Sequence, residues 1–108
     1  MDIKEALAAF DTLSQETRLR VFRLLVEYGH AGAPAGMLSR AIHIPHNTLS
    51  FHLSHMSHAG LVVSRREGRS IIYRSHFEFF SGLIPHLVEN CSPVEFASLR
   101  NVKKQPCP

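Results

Sequence analysis

The sequence is poor in cysteine and lacks long hydrophobic runs. Its 108 residues include only two cysteines, Cys91 and Cys107. This is too few for a disulfide scaffold, so we expect two thiols that are available for ligand or redox chemistry. The longest apolar runs, such as residues 24–26 and 61–63, are far shorter than the roughly 20 residues of a membrane-spanning helix. The sequence therefore predicts no transmembrane helix.

The usual sequence motifs of enzymes are missing as well. There is no phosphate-cradling glycine-rich loop, no nucleophile elbow and no HExxH zinc motif. A chain of 108 residues suffices for one domain with one hydrophobic core. The first five residues, MDIKE, carry acids where a secretory signal needs a basic and then an apolar stretch. We expect a cytoplasmic protein that is not an enzyme.

Acidic residues are absent from a long central stretch. None occurs between residues 28 and 66, and the segment 28–77 has five arginines against one acid, Glu67, although the net charge of the chain is only +3. Seven of the eight histidines lie in the same segment, where they add hydrogen-bond donors without adding acid. A surface formed by this segment would attract phosphate, so the charge pattern favours a nucleic-acid partner.

Apolar residues at helical spacing mark the first half of the chain. They predict a short amphipathic helix over residues 3–12, followed by a second helix that Ser14 caps and that ends at Gly29. Pro34 suits the first position of a short third helix, which stops near His43. The second helix should be central to the core through its apolar face, which consists of Leu19, Phe22, Leu25 and Val26.

A fourth helix and a hairpin follow. Pro45 opens the helix, and its apolar face repeats at i, i+4 and i+7 with Leu49, Leu53 and Met56, whereas the other faces are polar. Two helices joined by a tight turn, the second with a polar outer face, are typical of a helix-turn-helix. Residues 61–66 and 70–74 then predict two strands around a turn that contains Gly68, and this hairpin is a candidate wing.

The C-terminal part of the predicted domain is a helix over residues 77–90. It is apolar on too many faces for a helix of a small domain, so we expect part of it to pack against another subunit. Pro85 removes a backbone donor and should kink or break this helix. We divide the chain into a DNA-binding and dimerisation domain, residues 1–91, and a flexible C-terminal tail, residues 92–108.

Three segments carry more specific motifs: LSQETRLRVFRLL from residue 13, PHNTLSFHLSHMSHAGLV from residue 45 and SRREGRSIIYR from residue 64. In this order they resemble the Thr-Arg-Leu stretch, the recognition helix and the wing of the ArsR/SmtB family of repressors. The resemblance implies a mainly α fold with a small β-hairpin, that is, a winged helix-turn-helix that dimerises through its first and last helices. It also implies a transcriptional repressor whose partners are double-stranded operator DNA and a second copy of the chain.

The candidate DNA contacts lie at the start of the fourth helix and on the hairpin. A helix in the major groove needs compact donors and acceptors in its first turns, and the chain supplies His46, Asn47, Thr48, Ser50 and His52. The hairpin cations suit phosphate or the minor groove, and these are Arg65, Arg66 and Arg69. For each of them the alternative is a capping or solvated side chain.

The resemblance also bears on the inducer. One type in the family ends its last helix with Glu-Asn-Cys-Cys, adds a tail cysteine and responds to arsenite or antimonite. Residues 88–92, VENCS, are similar to that motif with Ser92 in place of the second cysteine. Because trivalent arsenic is soft and prefers thiolates, the resemblance implies a metalloid site at Cys91 and Cys107. Trivalent arsenic or antimony would then be the inducer, with no required cofactor.

Several alternatives remain open at these two cysteines. A three-thiolate site needs one more sulfur, so the ligand takes two thiols, as a methylated arsenical does, or the dimer partner contributes, or Ser92 impairs sensing. A disulfide between Cys91 and Cys107 would instead make a redox switch, and inert thiols are the third reading. Zinc is not expected, because His86 and Glu89 reproduce only half of the family's zinc motif.

Overall fold

A computed structural model describes residues 1–89 and residue 92. Helices dominate this part of the chain, and three short strands complete it. The elements are α1 (Ile3–Leu13), α2 (Glu16–Tyr28), a 3-10 turn (Gly29–Ala31), β1 (Ala33–Pro34), α3 (Ala35–Ile42), α4 (His46–His58), β2 (Val62–Glu67), β3 (Ser70–Ser75), α5 (Phe77–Phe80) and α6 (Leu83–Val88). The predicted fold class, mainly α with a β-hairpin in a winged helix-turn-helix, is confirmed.

Side-chain caps explain where the first two helices begin. Asp2 accepts from the Glu5 N–H at 2.8 Å while the Glu5 carboxylate accepts from the Asp2 N–H at 3.0 Å, which forms a capping box for α1. The prediction that Ser14 caps α2 is wrong, because Ser14 ends α1 and its hydroxyl donates to the Asp11 carbonyl. Gln15 caps α2 instead by accepting from the Arg18 N–H.

The core is built around α2 and α4. The predicted apolar face of α4 is fully buried, as are Val21 and Leu25 of α2, and each such side chain contributes roughly 1.5 to 3 kcal/mol by leaving water. Leu19 was expected in the same core but is 41% exposed, because the buried face of α2 is rotated toward Val21. The inward orientation of α4 fixes which of its residues point outward.

The strands form an antiparallel sheet in the order β1-β3-β2 within the described residues. The predicted hairpin is confirmed: Glu67 pairs with Ser70, and Gly68 takes a positive φ of 62° in the two-residue turn. The sequence pattern does not predict β1, since two residues show no alternation. This strand pairs with Tyr73 and Ile72 and therefore ties the hairpin to the segment that precedes α3.

The predicted C-terminal helix is divided into α5 and α6. The break lies at Ser81 and Gly82 rather than at Pro85, which is the third residue of α6. A proline is tolerated there because the N–H groups of a first helical turn lack intrahelical partners. Phe80 packs edge-on against Phe22 at 5.2 Å between ring centroids, and this contact fastens α5 to the core.

Residues 90, 91 and 93–108 lie outside the described part of the chain. The predicted domain boundary between residues 91 and 92 and the predicted tail therefore stay predictions. Among the described residues, no helix has both the length and the apolar character that crossing a bilayer requires.

Candidate nucleic-acid interface

The turn between α3 and α4 has three residues, 43–45, which agrees with the predicted tight turn. His43 ends α3 with a left-handed backbone, φ 65° and ψ 47°, and its N–H donates to the Ser39 carbonyl at 2.9 Å. Ile44 follows, and Pro45 precedes α4 in an extended conformation. A residue other than glycine rarely takes a positive φ, so His43 is the point where the chain reverses between the two helices.

The first turns of α4 are open to solvent. Because the three apolar residues of α4 share the side that faces the core, residues that are not at their spacing lie on the other sides of the helix. Four of the predicted base-contacting residues are exposed, and these are His46, Asn47, Thr48 and Ser50. The structure therefore presents donors and acceptors together on the surface that the sequence analysis assigned to DNA.

A groove joins this surface to the wing. It encloses about 290 Å³, and His46 and Ser50 of α4 line one side while Arg69 and Ile71 of the hairpin line the other. The structure thus brings three of the predicted contact residues into one groove. Arg66 and Arg69 are both exposed, and within the described part of the chain neither has an ion pair or a side-chain hydrogen bond to satisfy it.

Arg65 is placed differently from the other two arginines. Its Nη2 donates to the Ala31 carbonyl at 2.9 Å, and its Nη1 lies 3.4 Å from the His30 carbonyl. Its Nε donates to a Glu67 carboxylate oxygen at 2.7 Å. The guanidinium therefore holds β2 to the 3-10 turn, and each of its three nitrogens already has a partner within the protein.

His52 lies on the flank of α4 that faces α2. Its Nδ1 is 3.5 Å from Arg18 Nη1, and Arg18 Nε donates to the Thr12 carbonyl at 2.7 Å. Partial burial lowers the pKa of His52 below its usual value, and the charges of Arg18 and His55 lower this pKa further. His52 thus connects α4 to the end of α1 through Arg18.

Two residues of this region escaped the sequence analysis. Arg18 was not among the predicted site residues, because its contact with His52 depends on tertiary structure. Phe51 was passed over among polar neighbours, yet its ring is 64% exposed on α4. The repeat of Leu49, Leu53 and Met56 could have revealed it, since it places Phe51 roughly opposite the core-facing side.

The predicted thiol site cannot be placed on the structure, because Cys91 and Cys107 lie outside the described residues. Ser92 is described and exposed. In residues 1–89 and 92 there is no group of three or more histidine, cysteine, aspartate or glutamate side chains that could hold a metal ion. His86 and Glu89, the half of a zinc motif seen in the sequence, belong to no such group.

One family model matches the central part of the chain. Residues 13–65 match the family model of a helix-turn-helix domain. This segment contains α2, α3, α4 and the start of β2, so it covers both helices of the helix-turn-helix and only the beginning of the wing. No curated protein matches the chain.

Solved structures share the fold over most of the chain. An ArsR-like transcriptional regulator from Rhodococcus sp. RHA1 is 26% identical with a TM-score of 0.70, and the match covers 94% of this chain and 92% of that one. A homodimeric winged helix-turn-helix DNA-binding domain from Mycobacterium bovis, a possible ArsR-family regulator, is 22% identical with a TM-score of 0.66. That match covers 83% of this chain and 88% of that one. Reduced HlyU from Vibrio cholerae is 24% identical with a TM-score of 0.63, and the match covers 82% of this chain and 92% of that one.

Proposed function

We propose that this chain, which carries a helix-turn-helix domain in a winged helix-turn-helix fold, is a homodimeric DNA-binding transcriptional repressor of the ArsR type. The observation that carries the proposal is the shared groove in which His46 and Ser50 of α4 face Arg69 of the wing. Hydrogen-bonding groups for base edges and a free cation for phosphate are there combined on one surface.

The electrostatics of this surface support the proposal. The helix α4 contains no carboxylate, and the one acid of the hairpin, Glu67, is paired with Arg65. Arg66 and Arg69 are therefore left to attract a polyanion, and each phosphate contact that they make would release counterions. In this arrangement α4 reads the major groove, and the wing contacts the backbone or the minor groove.

Exposed apolar residues on the first and last helices support a dimer. Leu7 of α1 is 61% exposed and Leu87 of α6 is 59% exposed. Three further large apolar residues of these helices are exposed as well: Ile3, Phe10 and Ile84. The segments that precede the two helices lie close together, since a Cβ on Gly82 would lie 3.5 Å from the Met1 methyl carbon. An apolar surface of this kind marks a protein interface, and the Mycobacterium bovis neighbour is described as homodimeric.

The dimer fits two-fold symmetric DNA. Two recognition helices on symmetric protomers meet half-sites about 34 Å apart, one helical turn of B-DNA. An inducer that changes this separation lowers affinity without touching the DNA-reading residues.

For the inducer we propose trivalent arsenic or antimony bound by Cys91 and Cys107. Soft thiolates select such ions over the hard cations of a cell. In the sequence, Cys91 comes three positions after Val88, the last residue of α6, and α6 carries Leu87 of the proposed dimer surface. A disulfide switch at the same cysteines is the second candidate, favoured by the structural likeness to a protein described as reduced HlyU.

The experiment is selection of duplexes from a random pool with the purified protein, followed by fluorescence anisotropy on the selected duplex. Arsenite, antimonite, methylarsenite, zinc and peroxide are then added to the reduced wild type, Cys91→Ser and Cys107→Ser. Release of the wild type by an arsenical, with Cys91→Ser remaining bound, supports the metalloid site. Release by peroxide alone supports the disulfide switch.

The substitution Ser92→Cys is the converse test of the thiol site. A third sulfur should strengthen a three-thiolate site and lower the arsenite concentration that releases the protein. If Cys91→Ser responds to arsenicals as the wild type does, the metalloid proposal is wrong. If no duplex is enriched by the selection, DNA binding itself is contradicted.

A further inference from the structure

One large apolar side chain interrupts the polar surface of α4. Phe51 is 64% exposed, whereas the other three large apolar residues of this helix are fully buried. Its neighbours on the outward side, Asn47 and Ser54, are polar and exposed. The only ring contact of Phe51 among the described residues is with adjacent His52, at 5.9 Å between centroids and a tilt of 50°.

The position of Phe51 differs from that of the apolar residues assigned to the dimer. Those residues form a set on α1 and α6, whereas Phe51 is alone on its face of α4 and has a polar surround. A single aromatic side chain of this kind does not make a protein interface, which needs a contiguous apolar core. It does fit a surface that is polar except for isolated methyl groups, and the major groove is such a surface.

We propose that Phe51 is a specificity-determining residue that recognises the C5-methyl group of a pyrimidine, thymine in ordinary DNA, in the major groove. This inference rests on the DNA-binding function proposed above. Thymine presents its methyl group at the groove edge, and contact with an apolar side chain distinguishes it from cytosine, which lacks that group. The same methyl group is present in 5-methylcytosine and absent from uracil.

The geometry of α4 places this contact relative to its neighbours. Asn47 is one helical turn before Phe51 on the same side, about 6 Å along the axis. Its amide is suited to the N6 and N7 atoms of adenine. With α4 lying along the groove, the methyl contact of Phe51 falls about two base-pair steps from the base that Asn47 contacts. Ser50 and His46 lie on the side of α4 that faces the wing, so in this arrangement they contact bases on that side of the helix.

The test removes single methyl groups from the DNA. A duplex selected by the wild-type protein is resynthesised with uracil at one thymine at a time, symmetrically in both half-sites, and affinities are measured by anisotropy. At one thymine position we expect a loss of about 4-fold per half-site, corresponding to the removal of one buried methyl group. Replacement of that thymine by 5-methylcytosine should retain more affinity than replacement by cytosine.

Phe51→Ala is measured on the same duplexes, with Leu19→Ala as the matched control because Leu19 is an exposed apolar residue of α2. The Phe51 variant should bind the thymine and uracil duplexes equally, while Leu19→Ala should still discriminate between them. The wild-type comparison needs no variant, so a folding defect cannot obscure the result.

Each outcome is decisive for this inference. A selected duplex on which no uracil substitution weakens wild-type binding overturns the role of Phe51 and leaves the proposed function standing. Discrimination that persists in Phe51→Ala also overturns it. If no duplex is enriched in the selection, both the inference and the proposed function are wrong.

Discussion

The helices α1 and α4 place their large apolar side chains on opposite faces relative to the core. In α1 the inward face is made of small residues, since Ala6 and Ala9 are buried, and the outward face carries the large apolar Leu7. In α4 the inward face carries large residues such as Leu53, and the outward face is polar except for Phe51. Both helices are amphipathic, but they are inverted with respect to the core.

This inversion shows that exposed apolar residues differ in meaning with their surroundings. A stripe of them on α1, continued by α6, indicates another protein surface. A single ring on α4, in a segment without acids, indicates base edges in a groove. The same comparison separates the effects of mutations: changes on α1 and α6 should act on assembly, and changes on α4 and the wing should act on DNA.

The largest effect is expected from a charge in the α1 and α6 surface. Leu7→Glu or Leu87→Glu should give a monomer and lower operator affinity by about 100-fold or more, because two linked half-sites become one. Sedimentation analysis and anisotropy measure the two properties, and Leu19→Glu is the control on α2. Leu83 is unsuitable for this test because it is buried in the protomer core. A monomeric variant with wild-type affinity would contradict the role of the dimer.

The next effect is expected from the polar face of α4. Asn47→Ala should reduce the preference for selected over random duplex by roughly 10-fold, within the range of 1 to 3 kcal/mol for a base contact. Binding to random DNA should stay unchanged, because that binding depends on phosphate contacts. An equal loss on both kinds of duplex would show that Asn47 does not read bases.

A smaller effect is expected when the wing arginines are compared. Arg69→Ala should weaken binding to all duplexes by several-fold and reduce the slope of log affinity against log salt by about 1. Arg65→Ala should instead lower the melting temperature, because it removes the contacts of β2 with the 3-10 turn. If Arg65→Ala changed the salt slope while Arg69→Ala did not, the assignment of the two arginines would be reversed.

The smallest effect concerns His52 and pH. Since its pKa is lowered in the folded protein, the unfolded chain takes up the proton more readily. The contribution of this site to stability is therefore complete above the ordinary histidine pKa near 6.5, and it falls as pH decreases from there toward the lowered value. Thermal melting between pH 5 and 8 should show a weaker acid destabilisation in His52→Gln than in the wild type. Identical pH profiles would contradict this.

The sequence predicted most of the fold because its periodicities are local. The core face of α4, the glycine at the end of α2 and the hairpin turn at Gly68 each follow from residues near in the chain. The misses depend on tertiary contacts or on competition between neighbours. The strand Ala33–Pro34 forms because β3 lies beside it. Ser14 ends α1 instead of capping α2, since the neighbouring Gln15 takes the capping position.

The candidate site shows the same division. Exposure of Asn47 and Ser50 follows from the helical repeat, so sequence sufficed to place them on the surface. The different situations of Arg65 and Arg69 could not be predicted, because the two backbone carbonyls that hold the Arg65 guanidinium lie 34 and 35 positions away in the chain. Likewise the contact of His52 with Arg18 joins two helices that are distant in sequence.

The most direct test of the central claim is the stoichiometry and specificity of binding to a selected duplex, measured by anisotropy and sedimentation on the same samples. Two protomers should bind one duplex with half-sites about one helical turn apart, and the affinity should exceed that for a random duplex of equal length by about 1,000-fold or more. Equal affinity for the two duplexes, or binding of a single protomer at full affinity, would contradict a dimer that reads DNA with α4 and the wing.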